Sequence, residues 1–345
     1  MAYRAAVVGG SGYTGGEVLR LLAGHPEIDV VHVTADSNAG AAVGALYPSL
    51  AAAYPGLEYA PYAAADLAGV DVAFVALPHG ESQTIAGDVG DRATHIVDLG
   101  ADFRLPAPVY EQWYGRPHTA PDLLGQFAFG LPELFPDLVG RRPHVAAPGC
   151  YPTAAALALA PLVAGALVEP TGLVVDAMSG VSGRGRGLSP ASLYSEANEN
   201  VAAYTLLTHR HTGEMEWAIG EAADSEVQLV FTPHLVPMTR GLLATCHARP
   251  SGSRLSTASL LETFRAFYAD APFVTVLDEP PVTKATLGSN SAHVTVRFDE
   301  RTGAVLALCA LDNLGKGAAG QAIQCANLVL GLPETTGLPA VGIMP

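Results

Sequence analysis

Residues 5–15, Ala-Ala-Val-Val-Gly-Gly-Ser-Gly-Tyr-Thr-Gly, decide the fold. Four small apolar residues make a strand, the glycines make a turn, and Val18, Leu21 and Leu22 then recur at helical spacing until His25-Pro26 stops them. In that context the GxGxxG pattern reads as a dinucleotide fingerprint. Gly10 allows the tight turn, Gly12 the approach of backbone to a pyrophosphate, and Gly15 the close packing of helix on strand. Ser11, Tyr13 and Thr14 complete the candidate phosphate loop. A glycine turn without a ligand can show the same pattern, so the cofactor expectation rests on the strand before it and the helix after it.

A second strand over Val30–Val33 leads into Thr34-Ala35-Asp36-Ser37-Asn38. Here an acid binds the ribose hydroxyls of NAD, or an arginine the extra phosphate of NADP. Asp36 stands there with Ser37 beside it and no arginine, so the residues leave the phosphate preference open. The near-continuous apolar runs 70–77 and 96–99 predict strands of a parallel sheet buried on both faces. Pro78-His79-Gly80 follows the first of them, at a strand end where open α/β sheets bind ligands.

Beyond Cys150 strands follow one another, at 173–177, 227–232, 242–248, 294–298 and 305–310. Val294, Val296 and Phe298 alternate with Thr295 and Arg297, which predicts a sheet with one wet face. The expected fold is α/β: a Rossmann-type doubly wound dinucleotide-binding domain over residues 1–148, plus an α+β catalytic domain with a mixed sheet over 149–312. Residues 313–345 would form a helix from about Lys316 to Leu330 and a tail returning to the first domain. A chain of 345 residues suits two domains with a cleft between them.

The formal net charge of −15 argues against nucleic acid or an anionic membrane surface as partner, since both need a basic face. The longest nearly apolar run, Ala154–Val168, is too short to span a bilayer and contains Pro161. With no basic-then-apolar leader pattern at residue 1, a cytoplasmic location is expected. The four cysteines lack CxxC spacing and do not cluster with histidine, so neither disulfides nor a metal site is expected.

Chemistry concentrates at 145–161, where Cys150 lies between a Pro-Gly turn and an Ala/Leu helix. A helix start offers unpaired N–H groups and partial positive charge, which lower a thiol's pKa from about 8.5 and favour the thiolate. The turn alone leaves a buried structural cysteine as an equal reading. A thiolate facing a nicotinamide suggests attack on an activated acyl carbon, followed by hydride transfer. Thr208-His209-Arg210-His211-Thr212-Gly213-Glu214 supplies proton carriers and charge; the alternative is a surface turn with incidental histidines. Ser179-Gly180-Val181-Ser182-Gly183-Arg184 can bring backbone donors to an anion. Arg104, after Asp98-Leu99-Gly100-Ala101-Asp102-Phe103, and Arg240, in Pro-Met-Thr-Arg-Gly, are further anion-binding candidates.

At these residues the chain resembles the N-acetyl-gamma-glutamyl-phosphate reductases, arginine-biosynthesis enzymes related to aspartate-semialdehyde dehydrogenase. The similarity runs over nearly the whole length. It is carried by the cysteine signature from Val145 to Pro161, Gly-Ser-Gly-Tyr-Thr-Gly at 10–15, Leu-Pro-His-Gly at 77–80, Ala-Asp-Phe-Arg at 101–104 and Asp-Asn-Leu-Gly-Lys-Gly at 312–317. The resemblance implies NADPH-dependent reduction of an acyl phosphate to N-acetyl-glutamate semialdehyde through a thioester, with Cys150 as nucleophile and His209 as acid/base. Candidate substrate contacts for that reaction are Arg104, Ser179, Gly180, Arg184, His211, Glu214 and Arg240. Cofactor contacts would come from residues 10–15, Asp36, Ser37, Pro78, His79, Gly80, Ser182, Gly183 and Asn313, in a homo-oligomer, dimer or tetramer. Gly213 replaces a proline of the family's histidine motif, and Asp36 must turn away if NADP is bound. Competing expectations are an aspartate-semialdehyde dehydrogenase or related acyl-phosphate reductase, and a non-catalytic dinucleotide sensor on the same fold.

Overall fold

A computed structural model describes residues 2–252 and 254–345, and the chain folds as two units. The first runs up to Pro148 and includes Ala318–Leu338; the second is Gly149–Gly317 with Pro339–Pro345.

The first unit contains β1 (Tyr3–Val8), α1 (Tyr13–Leu22), β2 (Ile28–Thr34), α2 (Val43–Leu46), β3 (Val70–Val75), α3 (Ser82–Gly90), β4 (Ala93–Asp98), α4 (Ala107–Tyr114), β5 (Phe127–Phe129) and β6 (His144–Ala146). Its strands form one sheet in the order β2-β1-β3-β4-β6-β5, with every pairing parallel. From β1 the chain steps first to one side, to β2, and later to the other, to β3. The crevice beyond the C-terminal ends of β1 and β3 is therefore the topological switch point.

Successive residues of one strand serve opposite faces, and both faces are covered. Ala5, Val7, Val72 and Phe74 pack with Val18, Leu19 and Leu22 of α1 and with Ile323 and Ala326 of the helix Gly320–Val329. Ala6, Val8, Ala73 and Val75 pack with Ala86 and Val89 of α3 on the other face. Full burial of a Val, Leu or Phe side chain contributes about 1.5–3 kcal/mol, so this two-sided packing holds the sheet and explains its unbroken apolar strands.

The second unit contains α5 (Cys150–Ala164), β7 (Leu173–Gly180), α6 (Tyr194–Ala197), β8 (Ala202–Ala203), α7 (His211–Ala223), β9 (Leu229–Val236), β10 (Leu242–Ala248), α8 (Thr257–Phe267), β11 (Val274–Val276), β12 (Ala292–Asp299) and β13 (Ala304–Leu311). Its sheet runs β11-β12-β13-β10-β7-β9-β8 and is mixed: β7/β9 and β11/β12 are parallel, the rest antiparallel. Every residue of α5 from Tyr151 to Val163 is buried, so the helix runs through the interior and tolerates Pro161 one turn from its end.

Two local expectations are corrected. The second sheet's outward face is not simply wet: Val174, Leu243, Leu306 and Leu308 are half-buried there, and Met178 and Val230 are 44% and 46% exposed. Thr295 on that face is fully buried, because its Oγ1 donates to the Leu277 carbonyl at 2.7 Å. The last helix is also not continuous from Lys316. Gly315–Ala319 forms a wide π turn before the regular helix Gly320–Val329. The turn brings Gly317 so close to Cys150 that only a glycine fits, a constraint that regular helical spacing does not reveal.

Candidate active site

The dinucleotide cradle belongs to the first unit. α1 starts at Gly12, an extended N-cap with no side chain capping it, so its first N–H groups point past the end of β1. A Cβ on Gly15 would meet the Gly9 oxygen at 2.5 Å, and one on Gly10 would strike Val33. On Gly12 it would meet only the Gly9 oxygen, at 3.8 Å. The two packing glycines are thus crowded while the ligand-side glycine is open, which fits a pyrophosphate against the helix start. Asp36 and Ser37 lie exposed just past β2. His79 and Gly80 lie just past β3, where Gly80 has a φ of +97°.

Arg104 is 4% exposed and donates from Nε to the Ala147 carbonyl and from Nη2 to that of Leu99, both at 2.8 Å. These two bonds make it a strut between two loops of the first unit.

The reactive cluster is in the second unit. Cys150 is the first residue of α5, follows the extended N-cap Gly149, and is half-buried; Cys246, Cys309 and Cys325 are buried, and none of the four is in a disulfide. The His209 ring centroid lies 4.8 Å from that of His211, 5.6 Å from Tyr151 and 5.3 Å from Phe231. Burial, reinforced by the Arg210 charge, holds the His209 pKa down at about 4, so the ring is neutral near pH 7. The His211 N–H donates to His209 Nδ1 at 3.2 Å, which leaves the ring proton on Nε2. Glu214 is fully buried in the first turn of α7, at the positive end of that helix.

Tyr151 and Tyr204 were not singled out in the sequence. The Tyr204 hydroxyl donates to that of Tyr151 at 3.1 Å, and Tyr151 donates to the His234 carbonyl at 3.3 Å. Burial pushes the Tyr204 phenol up to about 12 and raises that of Tyr151 further, so both remain neutral donors. The Arg184 guanidinium lies 5.5 Å above the Tyr204 ring. Only the position of Tyr151 next to the cysteine signalled it in sequence.

Three loops knit together beside this cluster. Gly180 N–H bonds the Gly241 carbonyl at 2.9 Å, Gly241 N–H bonds Asn313 Oδ1 at 2.8 Å, and Asn313 Nδ2 donates to Ser182 Oγ at 2.9 Å. Ser179 and Ser182 are buried, and Gly183 packs against the Ser179 hydroxyl. Arg240 pairs with fully buried Asp312 at 3.0 Å, and that carboxylate also accepts from the N–H groups of Gly288, Leu314 and Gly315. Arg240 is therefore fixed in direction, with 20% of its side chain still exposed. Among the described residues no His, Cys, Asp and Glu group is arranged to hold a metal ion, and no helix is long and apolar enough to cross a membrane.

A nucleotide-type parallel sheet joined to a mixed-sheet unit carrying a helix-start cysteine defines an oxidoreductase of the semialdehyde dehydrogenase type. Family models agree: residues 4–141 match the semialdehyde dehydrogenase NAD binding domain and 150–313 the semialdehyde dehydrogenase dimerisation domain. The chain belongs to the N-acetyl-gamma-glutamyl-phosphate reductase family. It is 48% identical to the reductase of Symbiobacterium thermophilum, over 99% of both chains, and 47% identical to that of Acidothermus cellulolyticus, over 100% of both. Its fold resembles aspartate semialdehyde dehydrogenase II from Vibrio cholerae complexed with ASA (TM-score 0.73, 16% identity, 96% of this chain and 99% of that one). It also resembles the Candida albicans aspartate semialdehyde dehydrogenase with NADP (TM-score 0.66, 16% identity, the same coverage).

Proposed function

We propose that the chain reduces N-acetyl-gamma-glutamyl phosphate to N-acetyl-glutamate semialdehyde with release of phosphate, a cytoplasmic step of arginine biosynthesis, using NADPH and a thioester on Cys150. The observation that carries this reading is Cys150 at the uncapped start of α5, in the same unit as the neutral imidazole of His209 and the His211 ring packed against it.

The Cys150 thiolate, favoured by the helix start, attacks the acyl carbon and the C–O bond to phosphate breaks, leaving a thioester. N–H groups at the start of α5 face the oxygen on which charge develops. The nicotinamide cofactor, when bound, supplies the hydride that brings the acyl carbon to the aldehyde level. His209 keeps its proton at Nε2 and donates it as a hydrogen bond to the substrate oxygen as charge builds there, releasing that oxygen as the carbonyl re-forms and the thiolate departs. In this reading Arg240, steadied by Asp312, and Arg184 recognise phosphate and carboxylate. Gly10, Gly12 and Gly15 would hold the dinucleotide's pyrophosphate. The outward face of the second sheet, with Met178, Val230, Leu243, Leu306 and Leu308, suits a second copy of the chain in a homo-oligomer.

The deciding assay is the reverse reaction with N-acetyl-glutamate semialdehyde, phosphate and either NADP or NAD, beside the same assay with aspartate semialdehyde. Faster turnover of the unacetylated aldehyde would overturn the substrate, and no turnover of either the enzymatic reading.

A further inference from the structure

The turn after β3 is held by a buried carboxylate. Asp102, fully buried, accepts the Gly80 N–H at 2.7 and 2.9 Å, the Ser82 hydroxyl at 2.9 Å, the Gln83 N–H at 3.2 Å and the Tyr110 hydroxyl at 3.1 Å. The Gln83 amide closes back on the Gly80 carbonyl and Arg116 Nη2 on that of His79. The Arg116 guanidinium also fills the space a Cβ on Gly80 would need. His118 Nε2 bonds the Asp102 carbonyl at 2.7 Å, so the anchor is itself fixed.

The donor count assigns a proton. Ser82 Oγ lies 2.9 Å from Asp102 and 3.0 Å from fully buried Asp98, yet one hydroxyl donates only once. Asp102 also collects the N–H groups of Gly80 and Gln83 and the Tyr110 hydroxyl, whereas Asp98 accepts the Gly100 N–H, at 2.9 Å. Asp98 is therefore the carboxyl of the pair that takes a proton first, and once protonated it donates to Ser82, which donates to Asp102. Burial, with the Asp102 charge adding to it, independently raises Asp98 to about 7 despite Arg104 nearby.

We propose that Asp102 is a positioning residue for cofactor binding: its carboxylate sets the Gly80 N–H and the 78–80 turn in the geometry that receives the dinucleotide. The inference rests on the reading of Pro78-His79-Gly80 as cofactor contacts. Two near-identical substitutions then differ sharply. Asp98→Asn copies the protonated acid, donor and acceptor alike, whereas Asp102→Asn points an amide N–H at the backbone donors it should accept.

The experiment is fluorescence titration of NADPH into wild type and variants, with thermal melts and kcat at saturating NADPH. Asp102→Asn is expected to weaken NADPH binding by about tenfold or more, as befits loss of a charged acceptor, while kcat stays within about threefold. Asp98→Asn is expected to bind within about twofold of wild type. Should Asp102→Asn fail to melt cooperatively, Tyr110→Phe removes one donor from the same carboxylate and is expected to weaken binding about twofold to fivefold. Unchanged affinity in Asp102→Asn or, in its place, Tyr110→Phe overturns the proposal, as does equal damage from Asp98→Asn. Wild type that does not bind NADPH overturns instead the cofactor reading on which it rests.

Discussion

Gly317 stands against Cys150 so closely that a Cβ there would lie 2.6 Å from the Cys150 Cβ and 3.1 Å from its Cα. Neither atom is the end of a flexible chain, so Gly317→Ala must displace the start of α5. Overpacking of this kind costs about 1–3 kcal/mol. We expect a lowered melting temperature and a kcat reduced about tenfold or more, read by melts and steady-state rates. Wild-type kcat would show that the nucleophile tolerates displacement.

Cys150→Ser is expected to abolish turnover while NADPH affinity stays near wild type, because an alcohol lacks a thiolate's ionisation and leaving ability. Retention of more than about a tenth of the activity removes Cys150 from the nucleophile role.

His209 should set no acid limb near its ordinary pKa. Its folded value of about 4 lies below the ordinary 6.5, so the neutral ring persists well into acid and kcat/KM should fall through His209 only near pH 4. The same shift contributes stability that is complete above pH 6.5 and lost as pH falls towards 4. His209→Asn is expected to cost about 10²–10⁴-fold in rate and His211→Asn less. An acid limb centred near 6.5, absent from His209→Asn, contradicts the burial argument.

Asp98 reverses that sign. Its carboxyl is raised from 3.8 to about 7, so the fold favours the protonated form, and the cost grows as pH rises from about 4 through 7. Asp98→Asn removes the cost. Its melting temperature should gain on wild type between pH 5 and pH 8, by a stability difference on the order of 2–4 kcal/mol at the upper end. A constant difference across that range would mean that Asp98 is ionised throughout.

The exposed Asp36 tests cofactor choice. With NADP preferred and the carboxylate turned from the ribose, Asp36→Ala should change the NADP/NAD ratio of kcat/KM by less than about threefold. A tenfold rise, roughly 1.4 kcal/mol, places Asp36 at the ribose, and a wild-type preference for NAD overturns the NADP assignment.

The amino-acid order by itself determined the features that depend on neighbours in the chain. The strand, glycine turn and helix at 3–22 follow from local periodicity and from positions where a side chain has no room. The mixed second sheet was legible from strands succeeding one another, and the uncapped helix start at Cys150 from its Pro-Gly turn. Tertiary structure decided whatever depends on burial and on partners far along the chain. It tied Arg104 to the Ala147 carbonyl, buried Thr295 and Glu214, widened the helix start at Gly317, and made Tyr204 a neighbour of Tyr151 across 53 residues. It also placed Asp98 and Asp102 on one hydroxyl. The physical reason is that a propensity acts within a few residues, whereas desolvation and hydrogen-bond satisfaction are settled only when distant segments exclude water together.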